Sequence, residues 1–313
     1  MSIYQHQYIL DSDIVVPTGM NTELAIAIAR ADIDRFATYE DGNEKYTVAS
    51  LEFVDQTCLM TKVQETLNVL ITPLLDRLHV SLKPLPLLLS VPQEISEHDL
   101  RNWLDESDFS DYLSNIKFSK NSGNAFLQEC LNSLAEPDAI MCIAIDSLYE
   151  KKEALMSSRD AMSGTNPWGV LPSEGGAGMV LTKRNVLDTL KLIPQSKIVY
   201  SQFDWHSSDR RGCARLIRAA SKHHDNLGPI YSDMTNQRAH TEDYGFAIGA
   251  RSEVIPYAQQ VTLTNEFWGT IGGGSGIATL ATMNHLSSVG ILSTAFLFDQ
   301  NNTRSLFILN REK

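Results

Sequence analysis

The sequence predicts an α/β fold, on three observations. Strand-like and helix-like segments alternate along all 313 residues. Two apolar runs, PLPLLLSV at 84–91 and AIMCIAI at 139–145, have the unbroken hydrophobicity of strands covered on both faces. No low-complexity tract and no Pro/Ser-rich linker interrupts the alternation, so the halves of the chain are expected to share one core.

The elements follow in order. Ile9 to Val16 reads as a strand, TELAIAIARA as a short helix and TVASLEF as a second strand. From Gln56 to His79, Leu59, Val63, Leu67, Leu70 and Leu74 recur at helical spacing. PLPLLLSV carries its prolines at the start of a strand, where a missing donor is tolerated. Residues 97–113 read as short helices, SNIKFS as a brief strand, and Ala125 to Leu134 as a helix. AIMCIAI and AGMVLT are further strands. The second half repeats the rhythm: strand KIVYSQF, a basic helix from Ser208 to Lys222, strands PIYSD and VIPYAQQVTL, a glycine-rich turn and helix ATLATMNHL. ILSTAFLFD and RSLFILN close the chain as a hairpin turning at Gln300, Asn301 and Asn302. The alternation implies mostly parallel strand pairing with helices on both faces.

Bulk properties narrow the function. A formal net charge of −12 argues against nonspecific binding to nucleic acid or to an anionic membrane surface. No segment reaches the roughly 20 apolar residues that cross a bilayer. The opening MSIYQHQYIL lacks a basic stretch followed by an apolar run, so a cytoplasmic location is expected. Cys58, Cys130, Cys142 and Cys213 are far apart and form no metal-ligand spacing, which leaves them as free thiols. No cofactor and no metal are expected.

Three stretches carry a family resemblance. NPWGVLPSEGGAGMVLTKR, 166–184, contains Glu174-Gly175-Gly176-Ala177-Gly178 feeding a strand that ends in charge. DAIMCIAIDSL, 138–148, is a strand ending at an Asp-Ser-Leu step. FWGTIGGGSGIATLATM, 267–283, is a glycine cluster opening a helix. Taken in order, they resemble the β-ketoacyl synthases. That resemblance implies a thiolase-type fold: two related βαβ halves, 1–185 and 186–313, with stacked mixed sheets and helices between and outside them, in αβαβα layers.

It also implies where the chemistry should lie. A synthase needs a nucleophilic Cys at a strand-to-helix turn and two His. Counting back from the Ala125–Leu134 helix, the turn falls at Lys120–Asn124, with Ser122 at the nucleophile's place. The first family His corresponds to Asp233, the second to Thr270, and the family Lys to Asn265. Cys130 is two turns into the helix, too far to substitute. With nucleophile and both imidazoles replaced, no catalytic residue is expected. His240, on the helix QRAHTEDYGFA, is expected to face solvent or a partner, and Trp168 and Trp268 to pack in the core.

The resulting expectation is a non-catalytic binding, adaptor or scaffold protein. Asn-Pro-Trp-Gly before the glycine motif and Trp-Gly in place of Gly-His resemble thiolase-like proteins found with type VI secretion, which implies an accessory of effector loading. The alternatives are a chain-length-factor-like subunit of a synthase, or an acyl-transfer or hydrolytic enzyme acting through Ser122 or Asp233. A protein partner is expected, a secretion effector or a synthase subunit, with a homodimer as a further possibility. The basic helix bearing Arg210, Arg211, Arg215 and Arg218 is the candidate docking surface.

Overall fold

The computed structural model describes residues 7–33, 35–42, 44–256, 260–299 and 301–312. The first half runs β1 (Gln7–Val15), α1 (Thr22–Arg30), β2 (Phe36–Asp41), β3 (Glu44–Ala49), α2 (Leu59–Asp76), β4 (Leu85–Ser90), α3 (Glu97–Glu106), β5 (Leu113–Phe118), α4 (Gly123–Ser133), β6 (Ala139–Ser147), α5 (Lys152–Ser157), β7 (Glu174–Lys183) and α6 (Arg184–Leu190). The second runs β8 (Ser196–Asp204), α7 (Gly212–Ala220), β9 (Ile230–Ser232), α8 (Arg238–Arg251), β10 (Thr262–Leu263), α9 (Asn265–Trp268), α10 (Ser275–Leu286), β11 (Leu292–Phe298) and β12 (Arg304–Arg311). The proposed division at 185/186 falls inside α6.

Ten strands join in the order β10-β9-β11-β12-β8-β1-β7-β6-β4-β5. The two ends of this list are the same pattern. Setting aside the β2–β3 hairpin, the first half has strands β1, β4, β5, β6, β7 and the second β8, β9, β10, β11, β12. In each half the third strand lies at the outer edge, followed by the second, fourth, fifth and first. In each, the second, third and fourth are parallel and the fifth is antiparallel to both neighbours. Among the described residues, Tyr8↔Lys197 and Ile9↔Ser196 are the pairs that join the halves across β1 and β8. The expectation of mostly parallel pairing is corrected here. The fifth strand returns antiparallel through the loop after β6 or the β11–β12 hairpin, so each half is mixed.

The core resolves into layers. One cluster joins Phe126, Leu127 and Leu131 of α4 and Ile277, Leu280 and Met283 of α10 to the inner faces of both halves. A second packs Leu67, Leu70 and Leu74 of α2 and Leu100 and Leu104 of α3 on the outer face of the first half. A third packs Leu216 and Ile217 of α7 and Tyr244 and Ala247 of α8 on the outer face of the second. Helix, sheet, helix, sheet, helix is the αβαβα arrangement. Gly276 through Asn284 of α10 are all buried, as a helix enclosed on every side requires. The glycines of β7 let α2 settle on the sheet: a Cβ on Gly176 would come within 2.9 Å of Leu70 Cδ1, and one on Gly178 within 2.9 Å of Leu74 Cδ1.

Each half also anchors its fifth strand with a buried ion pair. Glu174, opening β7, accepts from Lys62 Nζ of α2 at 2.7 Å, from Ser147 Oγ at 2.9 Å and from Leu51 N–H at 2.9 Å. Arg304, opening β12, donates from Nε to Asp243 Oδ2 of α8 at 3.0 Å, while Asp243 Oδ1 accepts the Cys213 N–H at 2.9 Å.

Several expectations change. TVASLEF contributes only to β3, whose partner β2 the sequence reading missed. Of VIPYAQQVTL only Thr262 and Leu263 are strand, and its residues 257–259 lie outside the described residues. Gln300 of the closing turn lies outside them too, although β11 and β12 pair from Leu292↔Asn310 to Phe298↔Arg304 as a hairpin should. Trp268 is 1% exposed and packs in the core, but Trp168 is 63% exposed. Trp168 follows Pro167 in the loop between α5 and β7, outside any strand or helix that would turn it toward the core. Among the described residues no helix is long and apolar enough to cross a membrane.

Candidate functional site

The parallel strands of both halves deliver their ends to one place, the head of α4. There a cavity of about 100 Å³ is lined by Ser122, Asp146, Asp233, His240, Thr270 and Asp299, among others. It shares Ser122, Asp146 and Gly273 with an outer vestibule of about 440 Å³ between the ends of β4, β5 and β6. Three of the four residues singled out in the sequence, Ser122, Asp233 and Thr270, therefore meet. Asn265 does not line the cavity, and its buried Oδ1 has no hydrogen-bond partner among the described residues.

Ser122 is the N-cap of α4, but its side chain makes no capping bond. The cap comes from elsewhere: Asp299, in the β11–β12 turn, accepts the Asn124 N–H through Oδ2 at 3.1 Å. Gly123, at φ +54°, makes room, since a Cβ there would collide with that carboxylate. The Asn124 side chain is buried and tied to the second half, donating to Thr303 Oγ1 at 3.2 Å and accepting from Ser305 Oγ at 2.7 Å. A second carboxylate does the same on the opposite wall. Asp146, near the end of β6, accepts the Gly273 N–H at 2.8 Å through Oδ2. Lys151 lies 3.5 Å from its Oδ1.

Asp233 follows β9 and is buried, accepting the Phe298 N–H at 2.7 Å. Burial pushes its carboxyl up to about 7, against that hydrogen bond and with the Asp299 charge adding to the rise. His240 is buried where a solvent-facing or partner-facing ring was expected, because α8 turns its first turn inward beneath Phe298. Its Nδ1 accepts the Thr235 N–H at 3.3 Å, with the Thr235 hydroxyl at 2.9 Å. The remaining ring nitrogen therefore carries the hydrogen. Burial and the Arg304 charge push its pKa down to about 3. The expectation that no imidazole faces this site is thus corrected.

The chemistry available follows. No cysteine lines either cavity. Cys130 and Cys213 are buried and their thiols pushed well up by desolvation; Cys142 is buried as well, and the exposed Cys58 caps α2 elsewhere. His240 is a neutral donor and a poor base for Ser122. Two of the amides that could stabilise an oxyanion there, those of Asn124 and Gly273, are already bonded to carboxylates. The arrangement can bind a ligand through hydroxyl, carboxyl and imidazole groups, and among the described residues none is hydrogen-bonded to the Ser122 side chain as a base. Among the described residues no group of three or more His, Cys, Asp or Glu is placed to hold a metal.

The candidate docking helix begins at Gly212 and not at Ser208, because Arg210 turns the chain at φ +55°, so Arg210 and Arg211 precede it. Arg215 is held by Asp204 Oδ2 at 2.6 Å and Asp209 Oδ2 at 2.5 Å, and Arg210 pairs with Glu242. Arg211 lies over the Phe246 ring at 5.7 Å, and Arg218 is exposed.

Sequence reasoning missed Asp146, His240 and Asp299 as members of the site. Asp146 stood in the quoted Asp-Ser-Leu step, and His240 lies seven residues after Asp233, which were the available signals.

No protein-family model matches the chain, and no curated protein does. Solved structures do. The ishigamide ketosynthase/chain length factor superposes with a TM-score of 0.67 at 12% identity, covering 98% of this chain and 100% of that one. A type II PKS acyl-carrier protein in complex with its ketosynthase bound to the hexaketide gives 0.73 at 11%, covering 98% and 99%. A Streptomyces albus JA3453 oxazolomycin ketosynthase domain gives 0.72 at 11%, covering 99% of this chain and 75% of that one. The fold is the thiolase-like fold of the ketosynthases.

Proposed function

We propose that this chain is a non-condensing protein of ketosynthase fold that works by binding, as the chain-length-factor-like member of a pair with a condensing subunit. One observation carries the reading. The head of α4 presents Ser122 with no base bonded to it, and the amide of Asn124 beside it is taken by Asp299. The likeness to the ishigamide ketosynthase/chain length factor over 98% of this chain supports this choice over a stand-alone enzyme. On this reading the two halves, divided near 185/186, act as one body in the cytoplasm. The edge strand β5 and the outward Arg211 and Arg218 are the surfaces offered to a partner. A homodimer through β5 is the simplest competing assembly.

The test has two arms. Incubation with acyl and malonyl thioesters, read by intact mass, is expected to leave the protein unmodified. An adduct that disappears in Ser122→Ala would overturn the reading. Co-expression with a ketosynthase encoded beside it is expected to give a stable pair on size exclusion. Neighbourhood with secretion components, and a pair formed with an effector instead, would move the assignment to the type VI secretion accessory.

A further inference from the structure

The outward face of α7 is cationic throughout. From 211 to 222 the exposed residues are Arg211, Arg215, Arg218 and Lys222 and no others. They recur at helical spacing and form one stripe, while Cys213, Leu216 and Ile217 are buried beneath it. Arg215 is neutralised by Asp204 and Asp209. Arg211, Arg218 and Lys222 have no acidic partner among the described residues. Phe246, 50% exposed, lies beside the stripe with Arg211 over its ring.

Residues 94–111 hold the opposite charge. They include seven Asp and Glu against one Arg. All seven acids are exposed, and none forms an ion pair among the described residues. They occupy the outward side of α3 and the turn into β5, since Leu100 and Leu104 take the inward side. The two faces cannot neutralise each other within one molecule. α3 lies in the outer helix layer of the first half and α7 in that of the second, with both sheets and the central helices between them. A two-fold dimer through either face sets like charge against like. A head-to-tail contact sets base against acid, and each added copy offers a fresh face of either sign.

We propose that copies of this chain associate head to tail, the α7 face of one against the α3 face of the next, with Phe246 as the apolar anchor. The α7 face is one of the two surfaces offered to a partner in the reading above, and filling it with a second copy leaves β5 for the condensing subunit. A net charge of −12 repels copies at a distance. At about 0.1 M salt the Debye length is about 10 Å, so that repulsion is screened while contacts of a few ångströms persist. At about 1 M it is about 3 Å, and the contacts weaken too. Association is therefore strongest at intermediate salt.

Sedimentation velocity of the full chain over a concentration series, at about 10 mM, 0.1 M and 1 M salt, tests this. The expected result is a mass that grows with protein concentration at about 0.1 M and falls back at about 1 M. Arg218→Glu with Lys222→Glu, and separately Asp105→Lys with Asp108→Lys, remove no side-chain hydrogen bond or ion pair and should leave the melting temperature in place. Each double variant should weaken association about tenfold or more. An equimolar mixture of the two should restore it, because the reversed faces then complement each other. A mass fixed at one or two copies at every salt, wild-type association in either double variant, or a mixture that stays dissociated overturns the head-to-tail contact. Pairing with the condensing subunit is read separately, by size exclusion at about 1 M salt, so its failure and the failure of the head-to-tail contact are told apart.

Discussion

Asp233 and His240 share a cavity and their pKa values move in opposite directions, so the pH dependence of stability separates them. Asp233 has a folded pKa of about 7 against an ordinary 3.8, so between those values the native state holds a proton that the unfolded chain releases. Its contribution to stability is present at low pH and is lost as pH rises through about 7. His240 has a folded pKa of about 3 against 6.5, so in that window the unfolded chain holds a proton the native state lacks. Its contribution is present above 6.5 and is lost as pH falls. Each slope is one proton, about 1.4 kcal/mol per pH unit, and they oppose each other from about pH 4 to 6.5. Asp233→Asn removes the first and leaves the second. Asparagine keeps the shape and the acceptor for the Phe298 N–H. Relative to wild type, the variant's unfolding free energy should climb by about 1.4 kcal/mol per pH unit, to a total of about 4 kcal/mol between pH 4 and pH 7. Urea unfolding followed by circular dichroism at half-unit pH steps measures the difference, in which all other groups cancel. Parallel stability profiles for the two proteins would refute the reasoning, because they would mean that water reaches Asp233.

The pair Arg304–Asp243, at 1% and 0% exposure, should also respond strongly. Asp243→Asn leaves the guanidinium charge buried and should cost about 3–5 kcal/mol, while Arg304→Met with Asp243→Leu should recover most of it in the same unfolding assay. Gly272 sits at φ +80° with Asp146 where a Cβ would go. Gly272→Ala should therefore cost at least about 1–3 kcal/mol of unfolding free energy by strain, whereas Gly42→Ala, at φ +60° with nothing nearby, should cost only the backbone term. Ser122→Cys should not create a reactive thiol. With Asp299 and Asp146 beside it and no proton acceptor, iodoacetamide alkylation should stay within about threefold of an ordinary exposed cysteine.

Much of the fold was legible because its strands are apolar and its helices periodic. AIMCIAI and ATLATMNHL announce a buried strand and a central helix by composition alone. The β2–β3 hairpin was not legible because β2 is exposed or half-buried throughout and so lacks alternation. The fifth-strand reversals were not legible because parallel and antiparallel buried strands have the same apolarity. In the site, Ser122, Asp233 and Thr270 were found through resemblance to a motif. Asp299 and Asp146 were not, because their role is to accept amides from Asn124 and Gly273, more than 100 residues away in sequence. His240 was hidden by its helix, whose weak amphipathicity gives no sign of which side is buried.

The two buried ion pairs have opposite polarity: an acid on β7 facing a base on α2, and a base on β12 facing an acid on α8. Two halves with the same strand order invite confusion while the chain collapses, since either outer layer finds an apolar sheet of similar shape. Laid over the wrong sheet, Lys62 would confront Arg304 and Asp243 would confront Glu174, burying two like-charge contacts at once. The charges thus label left from right in a molecule whose topology does not.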